Sequence, residues 1–398
     1  MLPQGFKVAG IRSGISKKKG KKDLALFISE SPASAAGTFT QNMAKAAPVV
    51  IDIERLKKGG KFYAVIANSG CANACTGTQG IKNAVAMCAA IENKFNLPKN
   101  SALAASTGVI GQQLNMKAFN SGVKLLGSAL GKSPKHEDEA VTAIMTTDTV
   151  IKKSFKKIKV LKGDIKIWGC VKGAGMIHPD MAGLHATMLS FILTDAQIDS
   201  KTLQKILEKS IDSSFNCVTV DGDTSTNDTC IVLANGQSKT GKLSPKDLKK
   251  FSSALDALTI DLAKKIAKDG EGATKFIEIE VKNAKTVQDA KLIAKTVATS
   301  PLFKTAMFGA DANWGRVLAA AGRAGVVFNA DKTNITIAGI KTFKNGAPLN
   351  FSESLAKKAL LKKDIKIDID LKSGKAGSKY YTCDFSYDYV RINGDYRS

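Results

Sequence analysis

Residues 170–196, CVKGAGMIHPDMAGLHATMLSFILTDA, place several reactive side chains against a change in chain character. The first half carries glycines, Lys172, His178 and His185, and the second half, from Met188, is an almost unbroken apolar run. Thr187 stands at the junction. A glycine-bearing loop that feeds a buried strand can hold a hydroxyl beside strained backbone, because glycine accepts conformations that β-branched residues resist. The same pattern also describes an ordinary surface loop before a core strand. His178, Asp180 and His185 offer a metal-hydrolase alternative, although their spacing across Pro179 is irregular for a ligand set.

Other stretches carry weaker signals. Cys71 and Cys75 lie in the small, polar segment 68–77 (NSGCANACTG), but no second Cys or His pair follows at zinc-site spacing, so they read as small buried thiols. At 107–111 (TGVIG) a turn would leave backbone N–H groups pointing outward. Thr107 and Gly108 are therefore candidate oxyanion donors, with a plain strand-to-helix turn as the alternative. Segment 221–229 (DGDTSTNDT) does not have the spacing of an EF-hand loop and reads as a polar turn that positions its neighbours. Glu271, between Gly270 and Gly272, either presents its carboxylate from a tight loop or follows a helix C-cap as an exposed acid. Gly173-Ala174-Gly175 is too short a signal for a dinucleotide site.

Periodicity supplies the elements that must hold these groups. Strand patterns occur at 23–28, 36–40, 62–67, 102–106, 216–220, 230–234, 276–281, 334–340, 364–371 and 380–392. A hairpin is expected over 157–168, turning at Lys162-Gly163-Asp164. Helical patterns cover 81–95, 116–130, 137–145, 203–211, 245–268 and 287–299. The last strand would tie down the polar tail. Strands and helices mix without the strict cadence of a Rossmann domain, no repeat or linker is visible, and the fold class expected is α+β, in layers.

Composition bounds the function. With 398 residues and 44% hydrophobic content the chain can bury a sizeable core. Its net charge of +24 would suit a polyanion, yet only six basic residues are Arg, aromatics make up 6%, and no nucleic-acid fold signature is present. The charge points instead to acidic small molecules, with a non-catalytic polyanion-binding protein kept as an alternative. No apolar segment has the length of a signal peptide or a membrane span, so no membrane partner is expected and the cytoplasm is the expected compartment. Seven cysteines fit reduced thiols better than a disulfide framework.

Eight segments, NSGCANACTG, STGVIG, MTTDT, KGAGMIHPDM, TVDGDTSTND, GEGATK, SPLFKTAMFGADANWGR and YVRINGDYRS, occur in this order over essentially the whole chain. Together they resemble the ornithine acetyltransferase family, the glutamate N-acetyltransferases of arginine biosynthesis. The resemblance implies a precursor that cuts itself between Ala186 and Thr187. Thr187 Oγ would attack the Ala186 carbonyl, the acyl group would shift from nitrogen to oxygen, and water would release fragments 1–186 and 187–398. The second fragment would include a smaller subdomain from about residue 285. The freed Thr187 would carry both a hydroxyl nucleophile and an α-amine, which titrates near pKa ~7.7–8.0 and so is a better base at neutral pH than a lysine at ~10.4.

The resemblance further implies a ping-pong transfer in which N-acetylornithine acetylates Thr187 and glutamate takes the acetyl group. Thr107 and Gly108 would form the oxyanion hole, and Thr149, Lys172, Thr187, Glu271, Asn393 and Ser398 would bind substrate. No metal or cofactor is implied; acetyl-CoA is a second acetyl donor that some family members use. The fragments would assemble as an α2β2 heterotetramer. Two departures stand out: Gly183-Leu184-His185-Ala186 intervene between the Pro-x-Met-Ala run and Thr187, and Ser398 replaces a common threonine. An amidohydrolase or aminopeptidase with the same nucleophile, water replacing glutamate, is the alternative enzyme.

Overall fold

The computed structural model describes residues 1–178 and 188–395. Asp180, His185, Ala186, Thr187 and Ser398 lie outside the described residues. The described residues form two compact units, one from 1–216 with 223–262 and the other from 217–222 with 263–395. Both are α+β.

Eight strands build the first unit: β1 (Phe6–Ile11), β2 (Leu24–Phe39), β3 (Phe62–Cys71), β4 (Ala102–Val109), β5 (Lys152–Val160), β6 (Gly163–Lys172), β7 (Leu189–Thr194) and β8 (Thr229–Ala234). Their order is β4-β3-β2-β8-β7-β6-β5, with β1 paired to β2. The two strands expected at 23–28 and 36–40 are one. It pairs with β3 over 24–28 and, after a register break, with β8 over 34–39. Pro32 falls in that break, where no ladder hydrogen bond is asked of it. The pairs β3–β4 and β7–β8 are parallel.

Helices α1 (Ala47–Lys58), α2 (Gly77–Lys94) and α3 (Met116–Ala129) cover one face of β2–β4. There Leu24, Leu26, Ile66 and Ala104 pack with Ile51, Met87, Ile91 and Phe119. Alternate residues of the same strands, among them Phe27, Val65 and Leu103, turn to the opposite face. They meet Trp168 of β6, Phe191 of β7 and Leu233 of β8, with Val141 and Ile144 of α4 (Pro134–Ile144). The strands therefore form two layers, and those buried on both faces read in sequence as apolar runs rather than as alternation. Helix α5 (Ser200–Asp212) packs on β2. Leu258 and Leu262 of α6 (Pro245–Lys268) close on Gly169 of β6.

The second unit carries the sheet β12-β11-β10-β13-β9-β14, made of β9 (Phe276–Ala284), β10 (Asn334–Ile337), β11 (Ile340–Lys344), β12 (Ala347–Pro348), β13 (Asp364–Asp370) and β14 (Ala376–Cys383). Helices α7 (Val287–Ala298), α8 (Pro301–Phe308), α9 (Trp314–Gly322) and α10 (Glu353–Leu360) bury Ile293, Phe303, Val317 and Leu360 against Ile279, Ile335 and Ile367. Helix α11 (Tyr387–Asp395) follows.

Three strand expectations are corrected. At 216–220 there is a 3-10 turn (Phe215–Cys217) and a single bridge from Val218 to Tyr381. Serine competes here for backbone groups: Ser214 Oγ bonds the Ser210 carbonyl at 2.6 Å. The strand expected at 334–340 is a hairpin, turning at Ala338-Gly339 with φ of 49° and 84°. The strand expected at 380–392 ends at Cys383, opposite the first residue of β9, and residues 387–395 are helical because no strand remains to pair with them.

One close approach is testable. A Cβ on Gly10 of β1 would lie 1.9 Å from the Glu139 carbonyl oxygen of α4. Gly10→Ala is expected to destabilise the fold by about 1–3 kcal/mol through overpacking, read as a lower urea midpoint; an unchanged midpoint would reject this contact.

Candidate active site

Lys172 ends β6 opposite Leu189 of β7, so it emerges beside the chain that enters β7. Its side chain is only 2% exposed. Nζ donates a 3.3 Å hydrogen bond to Thr107 Oγ1. Thr107 belongs to β4, at the other end of the strand order, so this bond crosses the two layers. With its oxygen accepting from Lys172, the Thr107 hydroxyl keeps its own O–H as a donor, which an oxyanion role requires.

Gly108 is next, with φ of +132°. A Cβ there would sit 2.4 Å from the Gly70 carbonyl carbon and 2.6 Å from Cys71 N, so sterics and backbone geometry both demand glycine. Contrary to the turn expected after residue 106, Thr107 and Gly108 lie inside β4, and segment 68–71 inside β3. The parallel ladder continues through Gly70 and Gly108 before its register shifts at Cys71. Cys71 is buried, but Cys75, read as its buried partner, is exposed, on a backbone with φ of +56°.

Asp148 neutralises this region. Its Oδ1 accepts from Lys152 Nζ at 2.7 Å and from Gly173 N at 2.6 Å, and its Oδ2 accepts from Thr146 N at 2.9 Å. Both side chains of the Asp148–Lys152 pair are sealed from solvent. Burial works to raise the Asp148 pKa, but the Lys172 and Lys152 charges and the hydrogen bonds outweigh it and hold the carboxyl at about 2. Sequence reading named Thr149, which is exposed, and passed over Asp148 beside it. The available signal was the four-residue spacing from Asp148 to Lys152. Lys21 responds to the same charges. Burial first, then the charges of Lys18 and Lys172, lower its pKa to about 8.

Two more residues went unrecognised inside the polar segment 221–229. Asn227 Nδ2 donates to the carbonyls of Ala72 (2.6 Å) and Ser106 (2.8 Å). Asp228 Oδ1 accepts from Met188 N at 2.6 Å, and the backbone N–H of Thr229 donates to Met188 O at 3.0 Å. Burial holds the Asp228 carboxyl well above the ordinary carboxylate range, against the pull of the Met188 N–H and the Lys172 charge.

In the second unit, Asn393 Nδ2 donates to Glu271 Oε2 at 2.9 Å. Glu271 is only 7% exposed, so it is not the exposed acid of a helix cap. Gly272 has φ of +68°, and a Cβ on it would meet Tyr389 N at 2.4 Å; its missing side chain lets α11 close on this loop. The described residues thus bring Thr107, Gly108 and Lys172 together in one unit and Glu271 and Asn393 together in the other, while Thr187, Ala186 and Ser398 fall outside them. Among the described residues no three His, Cys, Asp or Glu are grouped to hold a metal ion. His178 is buried; Asp180 and His185 lie outside the described residues.

The ArgJ family model matches residues 7–398. The chain belongs to the ArgJ family. It is 46% identical to the arginine biosynthesis bifunctional protein ArgJ of Caldanaerobacter subterraneus subsp. tengcongensis, over 100% of this chain and 98% of that one. It is 43% identical to the protein of the same name from Bacillus subtilis, covering 100% and 96% of the two chains. The crystal structure of the Bacillus halodurans arginine biosynthesis bifunctional protein is similar at a TM-score of 0.50 and 46% identity, covering 51% of this chain and 96% of that one. Family membership agrees with the resemblance read from the eight segments.

The buried Asp148 gives a pH test with a definite sign. A carboxyl whose folded pKa lies below its unfolded value of about 3.9 stabilises the fold above that value, and the contribution drains away as pH falls towards the folded pKa. Urea unfolding of wild type and Asp148→Asn should differ by on the order of 2 kcal/mol or more near neutral pH, with the gap narrowing below about pH 4. A gap that does not change with pH would reject an ionised Asp148.

Proposed function

We infer that the chain is an acetyltransferase of arginine biosynthesis, moving the acetyl group of N-acetylornithine to glutamate. The geometric observation that carries this reading is the buried Lys172–Thr107 hydrogen bond. It brings the Thr107 hydroxyl and a cation together at the end of β6, opposite Leu189 of β7. The whole-chain family match supports it.

On this reading Thr187 attacks the Ala186 carbonyl and the chain divides into 1–186 and 187–398, the latter with a subdomain from about residue 285. The solved Bacillus halodurans chain, covered at 96% by about half of this one, is consistent with such a division. The α-amine of Thr187 then takes the proton from its own hydroxyl as the hydroxyl attacks the acetyl carbonyl. Thr107 O–H and Gly108 N–H receive the developing oxyanion, each donor contributing on the order of 3 kcal/mol. Ornithine leaves, and the amine of glutamate attacks acetyl-Thr187.

Lys172 suits a substrate carboxylate, Glu271 the cationic side-chain amine of ornithine, and Thr149, Asn393 and Ser398 supply amide and hydroxyl partners. The same acetyl-enzyme can form from acetyl-CoA, a co-substrate in keeping with the word bifunctional in the relatives' names. No other cofactor enters these steps. We further propose an α2β2 assembly working in the cytoplasm on small molecules. No described helix is long and apolar enough to cross a membrane, and no disulfide links the seven cysteines.

Intact mass of the purified protein tests the nucleophile. Wild type should give two fragments, the second beginning at Thr187, and Thr187→Ala a single chain; one uncut chain in both cases would withdraw Thr187. Glu271→Gln should raise the KM for N-acetylornithine about ten- to a hundredfold, the range for losing a charged hydrogen bond, with a smaller change in kcat. An unchanged KM would remove Glu271 from the amine site.

A further inference from the structure

The adjacent residues Asn227 and Asp228 each hold a backbone group one residue away from an expected reacting residue. Asn227 binds the Ser106 carbonyl, which belongs to the peptide bond leading into Thr107, and the Ala72 carbonyl just beyond β3. Asp228 binds the Met188 N–H, which belongs to the peptide bond leading out of Thr187. The Met188 carbonyl is held as well, by Thr229 N–H. The bracket is itself rigid. Thr226 Oγ1 donates to Asn227 Oδ1 at 2.6 Å, Ser225 Oγ accepts from Asn227 N at 3.1 Å, and Asp228 O accepts from Thr40 N at 3.0 Å.

Resting on the acetyltransferase reading, we propose that Asp228 is a positioning residue: it fixes the Met188 amide, the backbone group that follows Thr187 in the chain. Asn227 completes the bracket on the β4 side. A structural residue needs only to be satisfied, whereas this pair ties both expected halves of the chemistry to one dipeptide. Misplacement of a reacting group by about 1 Å costs on the order of a hundredfold in rate.

The remaining oxygen sharpens the argument. Asp228 is fully buried, and Oδ2 has no hydrogen-bond partner among the described residues. An ionised carboxylate would leave a buried charge half-satisfied, which is costly. Burial instead favours the neutral acid, against the pull of the Met188 N–H and the Lys172 charge. What the site uses is thus the acceptor at Oδ1 and not a negative charge, and an asparagine side chain supplies that acceptor with nearly the same shape.

The test compares wild type, Asp228→Ala and Asp228→Asn for self-cleavage, kcat and KM, with thermal melts to establish that each is folded at the assay temperature. Asp228→Ala should slow self-cleavage and lower kcat about thirty- to a hundredfold, while KM for N-acetylornithine and glutamate moves less than about threefold. Asp228→Asn should recover most of both losses. Folded Asp228→Ala that cleaves and turns over like wild type overturns the proposal, and so does an Asn variant as impaired as Ala. If Ala does not fold, the Asn variant decides alone: cleavage and kcat within about fivefold of wild type uphold the proposal, and larger losses reject it. Wild type that neither cleaves nor transfers acetyl defeats the acetyltransferase reading and this proposal with it; active wild type with an indifferent Asp228 defeats the proposal alone.

Discussion

Burying an ammonium group is the constraint around which the first unit is arranged. Lys172 and Lys152 are both sealed from solvent, and an unpaired interior charge would cost several kcal/mol. Asp148 answers both. It bonds Lys152, acts on Lys172 through space, and accepts two backbone N–H groups that fix the turn between α4 and β5 and the exit from β6. Lys172 also reaches across the layers to Thr107. A charge held this way is fixed in place by its surroundings, the condition under which electrostatic stabilisation is strongest.

Much of this was legible in the residues. The long helix α6 runs from Pro245 to Lys268, the bounds its pattern indicates, because a proline start and an amphipathic repeat are local properties. Thr107, Gly108 and Lys172 were found as chemistry-bearing residues in glycine-rich segments. That the Lys172 ammonium would touch the Thr107 hydroxyl was not, since the contact links residues 65 apart through a two-layered sheet. Asp148 and Asp228 were passed over for a related reason: a lone Asp in a polar segment is indistinguishable from a turn residue until its partners, here Gly173 and Met188, are brought to it. The missed hairpin turn at Ala338-Gly339 lacks the usual asparagine signal, and the terminal helix carries an alternation that either element could use.

The family match and the geometry constrain different things. Homology over the whole chain assigns the reaction class, while the packing of the chain explains why particular residue types are needed where they stand. Glycine at 108 and 272 is a matter of backbone clearance, and the carboxamide of Asn227 is needed as a double donor facing two carbonyls.

Strand β8 has a consequence for the order of events during synthesis. It lies between β2 and β7, and the dipeptide just before it grips Ser106 and Met188. A chain leaving the ribosome from its N-terminus exposes β1 to β7 well before residues 229–234 appear, so for that interval the first unit lacks a central strand. Any cut at residue 187 that depends on the finished sheet must wait for those residues to emerge. On the proposed reading the cut is timed by topology: residue 187 is made about forty residues before the dipeptide that holds Met188.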